Sequence, residues 1–581
     1  MKVKFLIIIC FMIVLDSVYA QSGNDEKLEN QVLIIYNEYS PVLKDANRIQ
    51  FLPVIIDTVK IRPKFEYNVN PTRYTTNFQP TPINVATVKG ESLKPLDNGM
   101  IKLGMGNYLT PYVEAFYNNR REKFYSVGAY AKHHSSHGKT KNTAGQKIYN
   151  GYANNIIGGY GKKFFPASTL SGDIGFSSDI VNFYGFDPKV VLPDNMMIPR
   201  DRSEMESVNY MRFKAKAGFG SNNVSQYNFN YDVNVLYQYF FTSAKDNQNK
   251  IKIYGDMNQM FRSNRFGLDG GFEFNKNRIS AESDLREYNE ALPMEYKESF
   301  LELNPYYKLY SNNWQIRLGL NTTGRFGGEE VKYHFYPNIY IQHNISNVLI
   351  PYAGFKGYIV NNNLEYLSTI NPFLDPINGN IPDNRDNYQV TNYSQVIDLG
   401  IKGNISKKLY FHINANYSKI DNMAFFVNFP ANKFVMEYRN VERFSGYGEV
   451  VLRDFYKFTF TLNGHYYYYS YVQNEDKPWH MPNFDIGLKT NYKFNEKLNF
   501  GMDIFVMGKR YAKVYDPNLI EIVYEKKLKS ILDISLYGEY NLSSNFACFL
   551  YLNNITGQKQ YYWNNYQSQG FNFLLGIKYL F

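Results

Sequence analysis

The chain has 581 residues, among them 54 Tyr, 44 Phe and 40 Gly, with 20% charged residues and a formal net charge of +10. Lys and Arg are dispersed along the chain, with no basic block of the kind that tracks phosphates. Nucleic acid is therefore set aside as a partner. With Cys10 in the leader, Cys548 is left alone in the mature chain, which excludes an internal disulfide and a cysteine-built metal site.

Residues 1–20 read as a secretory signal peptide: Lys2 and Lys4, an apolar run from Phe5 to Leu15, then Val18-Tyr19-Ala20 before Gln21. The run is too short to span a bilayer, which needs about twenty residues. Residues 21–98 carry Pro41, Pro53, Pro63, Pro71, Pro80, Pro82 and Pro95 and read as a periplasmic or lumen-entering segment. Within it, Val32, Leu33, Ile34 and Ile35 form a short β-prone run. A strand packed on the chain's own periplasmic rim is the favoured reading; pairing with a periplasmic partner by strand addition is the alternative.

From residue 99 onward the sequence is strand after strand with no helix-period segment. Leu409, Phe411, Ile413, Ala415 and Tyr417 alternate with His412, Asn414 and Asn416. Phe484 to Phe494, Leu498 to Val506 and Leu532 to Tyr540 repeat the period of two, the signature of strands with lipid on one face and lumen on the other. Short polar turns are expected near residues 120, 165, 222, 262, 312, 346, 405, 454, 495 and 543. Longer loops are expected at 134–148, 187–204, 277–296, 362–390 and 473–480. The fold class is all-β: a transmembrane antiparallel β-barrel of about 22 strands (20–24), with short periplasmic turns and longer extracellular loops. The final strand, Phe571 to Phe581, sets Phe573, Ile577, Tyr579 and Phe581 on one greasy face and ends the chain on a bare aromatic residue. These four residues read as the signal taken by the barrel assembly machinery.

Little in the sequence suggests chemistry. Lys132-His-His-Ser-Ser-His-Gly138 gathers His133, His134 and His137 beside two serines, where a metal or a hydrolytic site is the sharper reading and a solvated loop the favoured one. Asp375, Asn378, Asn380, Asp383, Asn384 and Asp386 offer oxygen ligands without the spacing of a calcium loop. His412 reads as a hydrogen-bonded lumen residue. Pro478-Trp-His-Met-Pro482 reads as a rigid loop tip at the interface or facing a partner. No cofactor, no metal and no enzymatic activity are expected.

The segment Leu550 to Tyr562, with its Asn553 and Asn554, is followed by Gly570 and the closing strand to Phe581. This ending resembles that of TonB-dependent receptor barrels, a likeness extending in architecture over about 99–581. It implies an outer-membrane location in a Gram-negative bacterium, contact with membrane lipid, and TonB or another periplasmic protein as partner. About 78 residues (21–98) precede the barrel. They are shorter and richer in proline than the plug domain of that family, so a barrel without a conventional plug is expected. Something must then occlude the lumen: inward-folded loops, the 21–98 segment or a partner. The expected function is porin-like passage or transport of a solute across the outer membrane. The alternative is a structural or assembly component that docks periplasmic or surface partners.

Overall fold

The structure, a computed structural model, describes residues 97–581 apart from 121, 143–144, 187–198, 223–228, 281–293, 328–330, 347, 376–387, 429–431, 472–476 and 516–521. The leader, the segment up to residue 96 with Val32, Leu33, Ile34 and Ile35, and the reading of a missing plug all lie outside the described residues.

Side chains that alternate in polarity every second residue make a strand with two unlike faces, and neighbouring strands of that kind close into a ring. The first eleven are β1 Gly99–Gly106, β2 Thr110–Asn118, β3 Tyr125–Ser136, β4 Tyr152–Phe164, β5 Ser168–Asn182, β6 Ser207–Ser221, β7 Asn230–Thr242, β8 Asn247–Phe261, β9 Asn264–Ile279, β10 Met294–Ser311 and β11 Trp314–Phe326. The rest are β12 Lys332–His343, β13 Ile350–Val360, β14 Thr391–Asn404, β15 Leu409–Asn428, β16 Phe434–Phe455, β17 Phe458–Tyr471, β18 Phe484–Lys493, β19 Leu498–Met507, β20 Ile531–Asn541, β21 Phe546–Asn553 and β22 Asn572–Leu580. Each pairs antiparallel with the next, and β22 pairs back onto β1, giving a closed barrel of 22 strands. A hairpin in the β19–β20 connection, Arg510–Tyr515 with Ile522–Leu528, joins the ring's backbone through a parallel bridge between Asn428 and Val514.

The two rims differ. Both chain ends of the barrel lie on one rim with ten turns, all short, at 119–124, 165–167, 222–229, 262–263, 312–313, 344–349, 405–408, 456–457, 494–497 and 542–545. Each sits within a few residues of the position expected from the sequence. Besides four short connections at 107–109, 243–246, 327–331 and 429–433, the other rim carries the long ones, including two at 508–530 and 554–571 that sequence pattern did not reveal. These two hold short strands of their own, so they read like the barrel strands beside them.

The outward face is apolar. Leu103, Ile251, Ile253, Leu318, Leu399, Ile413 and Ile577 all lie exposed on the outer wall. Exposed Phe124, Phe261, Trp314, Tyr456 and Phe494 ring the short-turn rim, while Tyr333, Phe335 and Tyr468 stand nearer the loops. Aromatic girdles flanking an apolar belt are what a bilayer requires of a spanning barrel. On the inward face the side chains pair with each other: Lys102 with Glu114, Lys252 with Glu273, Arg317 with Asp269 and Lys578 with Glu539.

The seam between β22 and β1 decides closure. Phe573, Ile577, Tyr579 and Phe581 all face outward, 40%, 44%, 40% and 38% exposed. The Phe581 carbonyl accepts from the Gly99 N–H at 3.0 Å, and the Phe581 N–H donates to the Gly99 carbonyl at 3.1 Å. Gly104 and Gly576 stand opposite each other at mid-seam. A Cβ on Gly576 would lie 2.2 Å from the Leu103 carbonyl oxygen and 2.4 Å from the Phe549 ring. Backbone cannot yield as a flexible side chain does, so Gly576→Val is expected to cost roughly 1–3 kcal/mol of barrel stability. The check is the heat-modifiable gel shift of the folded barrel in a denaturant series, where an unshifted midpoint would contradict the expectation.

Candidate functional site: the closed mouth of the lumen

The largest apolar core lies at the loop end of the barrel. Thirteen buried residues form one cluster, among them Phe183, Tyr210, Phe240, Leu367, Leu374, Phe426, Phe434 and Tyr566. They come from β6, β7 and β9, from the tip of the β15–β16 hairpin, and from three connections. β15 and β16 run for 20 and 22 residues, about twice what crosses a bilayer, so their upper halves project past the membrane and carry this core.

The β13–β14 connection is the strap across the mouth. Its described residues include a short helix, α1 Leu364–Ile370, whose N-cap Asn363 accepts from the Tyr366 N–H at 2.9 Å. Leu364 and Leu367 are buried in the cluster. Glu365 points the other way, to the lumen wall, and lies 3.4 Å from Lys250 on β8 and 3.8 Å from Arg212 on β6. Arg212 is in turn held by Asp179 at 2.7 Å and lies over the Phe240 ring. Beyond α1, the Pro372 carbonyl accepts from the Tyr210 hydroxyl at 2.9 Å. The chain then pairs with the hairpin tip: the Phe434 N–H donates to the Phe373 carbonyl at 3.0 Å, and the Asp375 N–H to the Phe434 carbonyl at 2.8 Å. One strap thereby ties β6 and β8 to the tip of β16, ten strands away from β6 in a ring of 22.

The β21–β22 connection lies over the strap. Tyr566 stacks on Phe373 with ring centroids 3.5 Å apart, and Trp563 packs edge-on against Phe426 and Phe434. Tyr566 also donates to the Asn432 carbonyl, and Asn432 donates to the Phe183 carbonyl at 3.1 Å. Burial pushes the hydroxyls of Tyr184 and Tyr566 well above the ordinary tyrosine range, which keeps both as neutral donors. Arg510, 1% exposed, donates to the carbonyls of Tyr561 and Tyr562 at 2.7 and 2.6 Å, and burial lowers its pKa to about 10. In the outer hairpin Lys513 sits 2.9 Å from Glu437, both nearly fully buried.

His480 joins three of these segments. Its Nδ1 lies 2.9 Å from the Phe426 carbonyl, and its Nε2 accepts from the Asn564 N–H at 3.3 Å. With a carbonyl on one nitrogen and an N–H on the other, the ring fits as a neutral Nδ1–H tautomer. Burial lowers its pKa to about 3, and the positive Arg510 nearby adds to the effect.

Below the lid, on the short-turn half of the lumen wall, lies a recess of about 790 Å³. Lys308, Arg317 and Lys356 line it with Asp398, His412 and His465, interleaved with Tyr340, Tyr352 and Tyr447. His412 accepts or donates at 2.6 Å to Tyr352, as a hydrogen-bonded lumen residue should.

The other sequence candidates fare differently. His133 and His134 lie within β3, not in a solvated loop; His133 faces outward and His134 inward, where it packs between Tyr112 and Tyr152. His137 lies past the strand end against Tyr149. Alternation along a strand thus separates what sequence proximity joins, and among the described residues no group of three His, Cys, Asp or Glu is placed to hold a metal. Asp375 is buried within the strap itself, while Asn378, Asn380, Asp383, Asn384 and Asp386 lie outside the described residues. The Pro478–Pro482 reading is corrected: Trp479 and His480 are 2% and 6% exposed, because the proline-flanked turn folds inward onto apolar partners. The strap falls in the long loop expected at 362–390, but which loop crosses the mouth, and the roles of Arg510 and Tyr566, gave no sequence signal, since aromatic and loop residues there look like those of any outer loop.

These features define an integral outer-membrane β-barrel whose lumen is closed by its own loops. Among solved structures, the chain is similar to the pyoverdine outer membrane receptor FpvA from Pseudomonas aeruginosa PAO1, with TM-score 0.63 and 13% identity over 84% of this chain and 79% of that one. It is also similar to the FrpB iron transporter from Neisseria meningitidis, with TM-score 0.64 and 10% identity over 84% and 82%. The siderophore receptor PirA from Acinetobacter baumannii gives TM-score 0.61 and 10% identity over 84% and 81%. The likeness to TonB-dependent receptor barrels therefore holds at the level of fold, and these neighbours are receptors and a transporter, not enzymes. No protein-family model matches the sequence, and no curated protein matches it.

The lid carries a pH dependence whose sign follows from His480. Its pKa in the packed lid, about 3, lies below the free value of 6.5, so the packed lid binds fewer protons than an open one between those values. Lid stability is complete above the free value and is lost as pH falls toward the packed one. Lid opening, read as single-channel activity or as protease cleavage in the loops, is expected to rise as pH drops from about 7.5 to 4.5 and to stay flat across that range in His480→Asn, which keeps a neutral donor.

Proposed function

We propose that the protein passes a solute across the outer membrane through a lumen gated by the inward-folded loops. The observation that carries this reading is the strap: α1 is tied to the lumen wall by the Glu365 carboxylate, shared between Lys250 and Arg212, and by Arg212 donating to the Ser368 hydroxyl at 3.4 Å. A permanent seal would need no ionic latch, because its apolar face already holds it. A latch of about 16% exposed charges is a bond that a charged solute or a change of conformation can exchange.

The recess beneath supports an anionic solute. Three cations and one carboxylate line it, with histidines and tyrosines that offer both donors and stacking faces. The pyoverdine, siderophore and iron named for the structural neighbours make ferric chelates the first class to test. Energised opening by TonB or another periplasmic protein belongs to the same proposal, with Val32, Leu33, Ile34 and Ile35 as the pairing strand. So does insertion into lipid by the barrel assembly machinery, reading Phe573, Ile577, Tyr579 and Phe581.

The test is conductance of the purified full chain in planar bilayers. The wild type is expected to be mostly closed. Glu365→Gln removes one charge-assisted partner from the latch, worth roughly 1.5–3 kcal/mol, and should raise open probability by about tenfold or more. Replacing residues 363–373 by a Gly-Ser linker should leave the pore open and anion-selective. A barrel that stays closed in all three forms would overturn the transport reading in favour of a docking or assembly role.

A further inference from the structure

The outer wall of the barrel carries a set of groups that the lumen does not explain. Along β3, Tyr125, Val127, Ala129, Ala131, His133 and Ser135 share the face that looks out to lipid; Tyr125 and Val127 are 48% and 43% exposed there. On β4, Asn155 stands directly opposite His133, and Ala153 opposite Ser135. Ile157, two residues from Asn155 on the same face, is 59% exposed.

Three of these side chains form one hydrogen-bonded line. Asn155 Oδ1 lies 2.7 Å from His133 Nδ1, and His133 Nε2 lies 3.1 Å from Ser135 Oγ. Asn155 is itself tethered, its Nδ2 donating to the Ser178 carbonyl at 3.4 Å. With an amide oxygen accepting at Nδ1, the ring proton sits on Nδ1 and the lone pair of Nε2 points at the serine hydroxyl. Nucleophile, base and a third group that fixes the tautomer are the parts of an acyl-transfer triad, of which serine–histidine–carboxamide is one chemical variant.

Their height on the barrel selects a substrate. Ser135 lies ten residues past Tyr125, about 33 Å along the strand and about 25 Å up the wall at a tilt near 40°. That is the loop-side edge of a belt about 25 Å tall, where acyl chains of the outer leaflet meet their ester linkages. Beside the line opens a cleft of about 230 Å³ bounded by Val113, Ala131, Ile157 and Phe176, with His133 and Asn155 in its wall. An apolar cleft with His133 and Asn155 in its wall, and with Ser135 hydrogen-bonded to that histidine just beyond it, is shaped for an acyl ester.

We propose that Ser135 and His133 are catalytic residues, and Asn155 a positioning residue, of a second activity on the outer face: hydrolysis of carboxylic esters in outer-leaflet lipids. Ser135 Oγ attacks the ester carbonyl carbon while its proton passes to His133 Nε2. The carbonyl–oxygen bond to the leaving alcohol breaks, and that alkoxide takes the proton from His133. Water then attacks the acyl-serine, giving one proton to His133; the fatty acid departs and the proton returns to Ser135. One ester and one water become one acid and one alcohol, with no change in oxidation state.

Ser135 is 4% exposed, so access to its hydroxyl is the first demand on the proposal. The full chain, folded into phosphatidylethanolamine–phosphatidylglycerol vesicles and separately into lipopolysaccharide-containing vesicles, would be treated with a fluorophosphonate and assayed for released fatty acid. The expected result is a single adduct on Ser135 and fatty-acid release from one of the two vesicle types, which identifies the lipid. Ser135→Ala should lose both adduct and release. Asn155→Ala should lower kcat by about tenfold or more with KM unchanged, and Asn155→Asp should restore it, a split that a purely structural hydrogen bond would not produce. Folded wild-type barrel, verified by heat-modifiable mobility, that gives neither adduct nor fatty acid would overturn the proposal. An adduct that persists in Ser135→Ala would overturn it equally. Neither result bears on conductance, so the transport reading stands or falls separately.

Discussion

Everything in this molecule depends on one constraint: inside hydrocarbon no water is present to satisfy a backbone N–H or carbonyl, so every strand must find two neighbours. The ring meets that demand through the seam, where Phe581 exchanges hydrogen bonds with Gly99 and the facing glycines at 104 and 576 let two backbones approach closely. Once the seam closes, the outward face is free to be greasy and the inward face free to be almost anything polar. The belt, the girdles and the paired charges of the lumen follow from that division.

The loop end obeys a different rule. A ring of 22 strands leaves a wide lumen, and at its mouth the surrounding medium is water again, so apolar loop residues gather as they would in a soluble core. Phe373, Phe434, Trp563 and Tyr566 bury one another across the opening. This lid is cohesive but not uniform. Glu365 and His480 are polar rivets set in an apolar seal, each sensitive to something the seal itself would ignore: a competing charge in one case, a proton in the other.

Strand β3 shows how one segment serves both sides. Lys132 and His134 look into the lumen among Tyr112 and Tyr152, while His133 and the buried Ser135 lie on the outward face. A period of two keeps the two sets of chemistry apart by the thickness of a single sheet. A barrel can therefore carry an activity on its wall that leaves its pore untouched, and the two faces are free to answer to different substrates.

The sequence by itself determined the class, a count of about 22 strands and the ten turns of the chain-end rim, because alternation and turn composition are local and the bilayer enforces them strictly. The outward placement of Phe573, Ile577, Tyr579 and Phe581 was legible for the same reason. Only the tertiary structure decided what closes the lumen, that Trp479 and His480 are buried, and that Asn155 rather than His134 or His137 is the partner of His133. Those facts depend on which strand lies beside which and on where long loops come to rest. Contacts made across twenty or several hundred residues leave no period in a sequence, and the lumen and loops, unlike the lipid face, are not held to one.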